Sequence, residues 1–367
     1  MKVRLPGKIF ILFLIFLFRI HLFAIEESFH YILKNSDIVK IDKVLNDTIT
    51  TFTGNVFLIY NDIEFFADIV QILQRDKIIK LTGNVQAIDD TLEAGAQLAT
   101  YFHNKNEILF KKNAYFFENS EQERLKEIQA DRIDYFRNIR KVNASGNIFA
   151  QDFLENVNIT CGQFQYDIKK GYADARNEPI LTFQRESILT ISSKQMELFV
   201  DEKKFTATYN VKIEIKDSYA LSRFLIYFQD DNKAVLLGNP QFYSNVSDAS
   251  AEEFQIFFIE ESIDKLYLIE NAEMHFKNKG QEEKLNFIYA KKILLDLNNE
   301  KLDYMNAEDV DKSQLEQSKT NEDDFYINKL KTKNFEVFFD NDENIEKIIA
   351  TQGIKGIYKF VSLKEKR

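Results

Sequence analysis

The sequence predicts an all-β protein made of tandem pairs of strands, and three observations carry that prediction. The tetrapeptide Thr-Gly-Asn-Val at residues 53–56 recurs at residues 82–85, a step of 29 residues. A short apolar stretch running into a Gly or Asn then repeats at a similar interval to the end of the chain. The composition leans to residues that fit a pleated surface: 34 Phe and 16 Tyr, dense Ile and Val, and only 3 Pro in 367 residues.

The punctuating asparagines are Asn55, Asn84, Asn113, Asn147, Asn177, Asn210, Asn239, Asn271 and Asn306, at gaps of 29, 29, 34, 30, 33, 29, 32 and 35 residues. Gly and Asn tolerate positive φ, so their recurrence marks turns or bulges. Pro179 and Pro240 fall just after two of these asparagines, where a strand start or edge accepts a residue without an N–H.

A second landmark follows each turn by about a dozen residues. It is a small residue, an apolar residue three later, and Tyr or an aliphatic two beyond that. Its copies run Ala67-Val70-Ile72, Ala96-Ala99-Tyr101, Ala130-Ile133-Tyr135, Cys161-Phe164-Tyr166, Ser193-Met196-Leu198 and onward to Thr332-Phe335-Val337. A polar turn such as "QRDK", "HNKNE" or "VDEKK" closes each copy. Each unit therefore reads as two antiparallel strands, giving about 18–20 strands in all. The odd spacing after the small residue predicts a bulge there, with the sheet turning a corner. Within Ile63-Glu64-Phe65-Phe66-Ala67-Asp68, Ile63, Phe65 and Ala67 share one face and the acids take the other, so one face is dry and one wet.

The ends and one interruption fall outside this rhythm. Residues 1–24 combine Lys2, Arg4 and Lys8 with the apolar run from Ile9 to Phe18 and close on Ala24, which reads as an export signal; a retained inner-membrane anchor is the alternative. Residues 308–324, "EDVDKSQLEQSKTNEDD", read as a flexible polar loop inside the array. The array itself is read as one domain over residues 25–361.

The formal net charge is -10, and loss of Lys2, Arg4, Lys8 and Arg19 with a cleaved signal makes it -14. That balance excludes nucleic acid as a partner, which needs a basic footprint. His21, His30, His103 and His275 are scattered and show no metal-ligand spacing to Cys161, the single cysteine. No nucleophile elbow, Walker loop or dinucleotide fingerprint occurs. The acidic pairs Asp89-Asp90 and Glu260-Glu261 sit at turns. The sequence thus predicts no catalytic residue, no metal and no cofactor, and not an enzyme. A glycosidase would require two facing carboxylates in a polar cleft.

Some twenty strands sharing an apolar face cannot stay flat and open; the face must meet itself. The result is either a slot that takes an acyl chain, which gains about 0.8 kcal/mol per buried methylene, or a dry core filled by side chains. Apolar parity nominates Val56, Leu58, Ile63, Phe65, Ile133, Tyr135, Phe164 and Tyr166 as the slot lining.

"TFTGNVFLIYNDIEFFADIVQIL" (51–73) followed by "IIKLTGNVQAIDDTLEAGAQLATYF" (78–102) resembles the organic-solvent-tolerance (OstA-like, LptA-like) family. The resemblance is most specific over residues 50–150 and weakens towards residue 361. It implies an elongated twisted β-jellyroll open at both ends and a groove holding acyl chains of lipopolysaccharide or another glycolipid. It also implies a periplasmic place in transport towards the outer membrane, and partners that are OstA-like components or further copies stacked through exposed edge strands. The chain departs from the family's outer-membrane member in lacking its cysteines and any following barrel. The competing reading is a structural or adhesive envelope protein with a filled core.

Overall fold

The computed structural model describes residues 29–362, apart from residues 45–46, 121–122, 184–187, 260–261, 278–285, 299–300, 319–323 and 341–344. The export signal read at residues 1–24 lies outside the described residues.

The described chain is one continuous antiparallel sheet of 26 strands. In order they are β1 (Ile32–Asn35), β2 (Ile38–Val44), β3 (Asp47–Tyr60), β4 (Ile63–Leu73), β5 (Ile78–Asp89), β6 (Leu92–Phe102), β7 (Glu107–Asn119), β8 (Arg124–Phe136), β9 (Lys141–Asp152) and β10 (Val157–Asp167). There follow β11 (Tyr172–Arg176), β12 (Ile180–Phe183), β13 (Leu189–Ser192), β14 (Gln195–Phe199), β15 (Lys204–Ile215), β16 (Ser218–Phe228), β17 (Lys233–Leu237), β18 (Gln241–Tyr243), β19 (Ser247–Ser250) and β20 (Glu253–Ile259). Last come β21 (Ser262–Phe276), β22 (Asn286–Asn298), β23 (Lys301–Ser318), β24 (Asp324–Phe339), β25 (Ile345–Thr351) and β26 (Lys355–Ser362). The sequence predicts about 18–20 strands, and the two counts describe one architecture. Six strands break at their bend and register as pairs: β1/β2, β11/β12, β13/β14, β17/β18, β19/β20 and β25/β26; rejoining them leaves 20. Two of the breaks hold Pro179 and Pro240, which have no N–H for the ladder.

Along most of the sheet every second strand bends at its midpoint, where two consecutive residues are left-handed, and the intervening strand follows the bend. Gly54–Asn55, Gly83–Asn84, Lys112–Asn113, Gly146–Asn147, Asn177–Glu178, Tyr209–Asn210, Gly238–Asn239 and Glu270–Asn271 all have positive φ. Against these pairs the neighbouring strand supplies one residue fewer: between Thr53↔Ile69 and Val56↔Ala67, two residues oppose Asp68 alone. That two-against-one count is a β-bulge, and it lies directly after the small residue of the sequence landmark. At Gly83, with φ +75°, a Cβ would lie 2.2 Å from Asp68 Oδ2. The same carboxylate accepts hydrogen bonds from Asn84 Nδ2 at 3.0 and 3.2 Å. The repeated Gly-Asn is thus explained: Gly clears the acid, and Asn both adopts the bend and ties it to the acid.

The bends fold the sheet into two facing arms. Residues 47–53, 69–82, 98–111 and 132–145 lie on one arm, and residues 56–67, 85–96, 114–130 and 148–161 on the other. Rings meet across the space between them: Phe65 with Tyr101 at 6.0 Å, Phe116 with Tyr135 at 5.5 Å, and Phe276 with Phe339 at 6.4 Å. Burying one such ring stabilises the fold by about 1.5–3 kcal/mol, so the facing arms supply their own core. The predicted alternation holds: Ile63, Phe65 and Ala67 are buried, while Glu64, Phe66 and Asp68 face outward.

Two expectations are corrected. The polar loop read over residues 308–324 is strand through residue 318: β23 runs to Ser318, pairing with β22 on one side and β24 on the other. Its acidic side chains occupy the outer face, while Val310, Ser313 and Leu315 turn inward and are buried. Pairing on both sides overrides a polar composition. Asn306 does not mark the bend of that repeat; the left-handed residue is Asp309.

Candidate functional site

The space between the arms is filled by one continuous core that is most fully covered over β3 to β9 and less covered in the middle of the chain. In β3 to β9 the inward residues pack without a gap. Val56, Leu58, Ile63, Phe65 and Ile133 are all at or below 1% exposed, and Tyr135 is buried beside them. The sequence nominates these six as slot lining; they do point inward, and there they are core. Phe164 and Tyr166, the other two nominees, stand at the edge of that packing at 9% and 7%. From Met274 through Phe339, Ile288, Ile293, Met305, Leu315 and Phe335 are buried, with Leu297, Leu302 and Leu330 half-buried at the edges of the packing.

Between these stretches the inward row is only half covered. Register fixes which residues face in: Phe164↔Ala175, Ala175↔Met196, Met196↔Ala207 and Ala207↔Leu225 carry the parity across the first arm. The residues nearest the bend on that line are buried. Those one step further out are Leu198, Phe205, Tyr227, Ile256 and Leu266; Leu198 is 42% exposed and the other four are half-buried. Facing them on the second arm, Phe183, Ile213, Ala220 and Phe242 are half-buried as well. The result is a shallow apolar strip, or trough, over residues 157–266, in which Phe205, Tyr227, Ile256 and Leu266 are partly covered and pack against the buried residues nearer the bend. The aromatic pairs described between residues 168 and 266, such as Tyr227 with Phe258 at 6.3 Å and Tyr219 with Tyr243 at 5.0 Å, lie within a single arm.

Polar bridges across the outer rims explain why the first half is shut. Tyr60, ending β3 on the second arm, is hydrogen-bonded to His103 Nδ1 beyond β6 on the first. Asp89, ending β5, accepts from Arg137 Nε at 2.9 Å and Nη2 at 3.0 Å, and from Tyr135 Oη at 3.2 Å. Glu118 of β7 and Lys126 of β8 reach Tyr166 of β10: Lys126 Nζ donates to Tyr166 Oη at 2.9 Å, and Tyr166 Oη donates to Glu118 Oε2 at 3.0 Å. One bridge thus joins each successive hairpin of the second arm to the next hairpin of the first. The succeeding copy of the landmark ends in Leu198, which has no hydroxyl to continue the series.

The electrostatics keep these bridges in their donating forms. Burial raises the Tyr166 phenol above its ordinary value, outweighing the Lys126 hydrogen bond and charge, so the phenol retains its proton for Glu118. Burial lowers the Lys126 ammonium, but its bond to Tyr166 and the charges of Tyr166, Glu118 and Asp152 outweigh that and leave it raised. Tyr135 is raised first by burial and then by the Asp89 charge. Cys161, inward on β10 beside the trough, is pushed up to about 11 by burial.

Among the described residues no group of three or more His, Cys, Asp or Glu is placed to hold a metal ion. His275 Nε2 is hydrogen-bonded to Tyr289 Oη at 3.0 Å on the outer face. No helix among the described residues is long and apolar enough to cross a membrane. Sequence parity identified which face turns inward but missed the trough residues Leu198, Phe205 and Tyr227. The legible signal was the change from Tyr101, Tyr135 and Tyr166 to Leu198 at one landmark position.

Residues 35–172 match the sequence model of the family described as LptA/(LptD N-terminal domain) LPS transport protein. The resemblance, read as most specific over residues 50–150, is therefore borne out over residues 35–172. No curated protein matches the chain. Among solved structures, LptH from Pseudomonas aeruginosa is similar; it is described as the LptA homologous periplasmic component of the conserved lipopolysaccharide transport device. The likeness covers 28% of this chain and 75% of that one, at 10% identity and a TM-score of 0.26, too low to carry an argument.

Proposed function

We propose that this protein is a periplasmic lipid carrier of the lipopolysaccharide-transport type and holds acyl chains in the trough spanning residues 157–266. The observation that carries the reading is the half-covered apolar row Leu198, Phe205, Tyr227, Ile256 and Leu266, preceded by the fully buried interior of β3 to β9 and followed by the buried residues from Leu268 to Phe276. A chain of a dozen methylenes laid along it gains on the order of 10 kcal/mol before entropy losses. The family match over residues 35–172 supports the cargo class. The packed first half is better suited to a rigid strut than to a lipid site, which is where the structural reading keeps its force.

Both ends of the sheet are free to take partners. Ile38, Val39 and Ile41 on β2 and Ile357 on β26 are exposed, and the outer edges of these strands show no strand pairing among the described residues. Such edges pair readily with another strand, either of a second copy or of another OstA-like component.

A photo-crosslinking residue placed at Tyr227 or Phe205 in cells is expected to capture lipid, and one placed at Phe65 is not. Capture of protein alone at Tyr227 and Phe205 would refute lipid carriage. Capture of lipid at Phe65 would move the site into the first half.

A further inference from the structure

We infer that Tyr166, Lys126 and Glu118 form a polar bulkhead that ends the trough and sets how long an acyl chain it accepts. This rests on the lipid-carrier reading and adds a specificity-determining group to it.

Three side chains from three strands and both arms meet at one point. Tyr166 comes from β10 on the first arm and Lys126 and Glu118 from β8 and β7 on the second. All three pairs of polar atoms are in contact: 2.9 Å, 3.0 Å, and 3.4 Å from Lys126 Nζ to Glu118 Oε2. On one side of this point lies Leu198, 42% exposed; on the other lie Ile133 and Val142, with no exposure. The change from open to filled interior therefore coincides with the triad.

An acyl chain sliding along the trough meets a wall it cannot pass cheaply. Displacing Tyr166 would strip hydrogen bonds from a half-buried ammonium and carboxylate and leave them against hydrocarbon. The far end of the trough differs. There the closure is apolar, with Phe276 against Phe339 and Met274 and Leu295 behind them, and hydrocarbon replaces such contacts without unpairing any charge. The trough thus has one fixed stop and one yielding end, and lipid reaches it from the side between the arms.

The test is binding of saturated fatty acids of increasing length to the purified full-length protein, read by displacement of a fluorescent fatty acid. In the native protein, affinity rises about fourfold per methylene and then levels off where the chain meets the stop. Tyr166→Ala removes the ring and shifts that break to longer chains by roughly one strand spacing, about 4.8 Å, or three to four methylenes. Tyr166→Phe keeps the ring but removes the hydroxyl that ties it to Lys126 and Glu118, so the break shifts in the same direction by a smaller amount. Should Tyr166→Ala fail to fold, Lys126→Met with Glu118→Leu removes the charges within a similar volume and shifts the break in the same direction. A break that stays put in a folded Tyr166→Ala protein and in the double variant overturns the bulkhead while the carrier reading stands. Absence of fatty-acid binding in the native protein overturns both.

Discussion

Arg137 and Asp89, 48 residues apart in sequence and on opposite arms, are joined by two parallel hydrogen bonds of 2.9 and 3.0 Å. Both side chains are largely shielded, 20% and 13% exposed, and Tyr135 donates to the same carboxylate. The pair clasps the rim of the first half over a core that contains Phe116 and Tyr135.

Asp89→Ala leaves a guanidinium and a phenol without their acceptor, so it is expected to destabilise the fold by roughly 2–3 kcal/mol. Urea unfolding measures this. Removing Asp90, 4.0 Å from Arg140 and 72% exposed, is the control and should leave the midpoint unchanged.

Gly83→Ala is expected to destabilise through two separable effects. A side chain at φ +75° costs about 1–2 kcal/mol, and its Cβ also meets Asp68 Oδ2 at 2.2 Å. Adding Asp68→Ala removes the second effect only. A double-mutant cycle should therefore recover part of the loss, and a strictly additive cycle would show that the new side chain does not meet the acid.

Core and trough should respond in opposite senses to truncation. Phe65→Ala, at a site with no exposure, is expected to cost about 3–5 kcal/mol and to leave lipid capture at Tyr227 intact in whatever fraction folds. Leu198→Ala, at 42% exposure, should cost less than about 1 kcal/mol and weaken lipid binding. Unfolding curves paired with lipid co-purification decide both.

Cys161 should be slow to alkylate at pH 8, with a rate that climbs until about pH 11, because burial holds the thiol protonated well past its ordinary value of 9.0. The sign for stability follows. Above pH 9 the unfolded thiol loses its proton while the folded thiol keeps it, so the folded state binds more protons and stability falls as pH rises from 9 to about 11. Cys161→Ala removes that slope, and iodoacetamide kinetics with pH-dependent unfolding check the pair of expectations.

Much of the fold was legible because its determinants are local. Gly83–Asn84 bends its own strand, and Ile63, Phe65 and Ala67 declare their face by alternation alone. The corner after Ala67 or Ala130 followed from a spacing of three where two was due. The trough was not legible, because closure depends on residues far apart in sequence. Tyr166 seals the interior only because Glu118 and Lys126, 48 and 40 residues earlier, stand opposite it on the other arm. Parity nominated Phe65 and Leu58 as lining for the same reason: it identifies the inner face and says nothing of how far apart two inner faces lie. The segment after Glu308 misled in the other direction, since outward polar residues hid a strand secured by Val310 and Leu315.

The midpoint bend is a property of the hairpin: one of its two strands carries the left-handed pair, and the single residue opposing that pair sits on the other, as Asp68 of β4 opposes Gly54–Asn55 of β3. A whole hairpin can therefore be duplicated or deleted with its bend intact, and the neighbours on either side will still find each other in register. Reach along the long axis then scales with the copy number of the hairpin, at two strand spacings, about 9–10 Å, per copy.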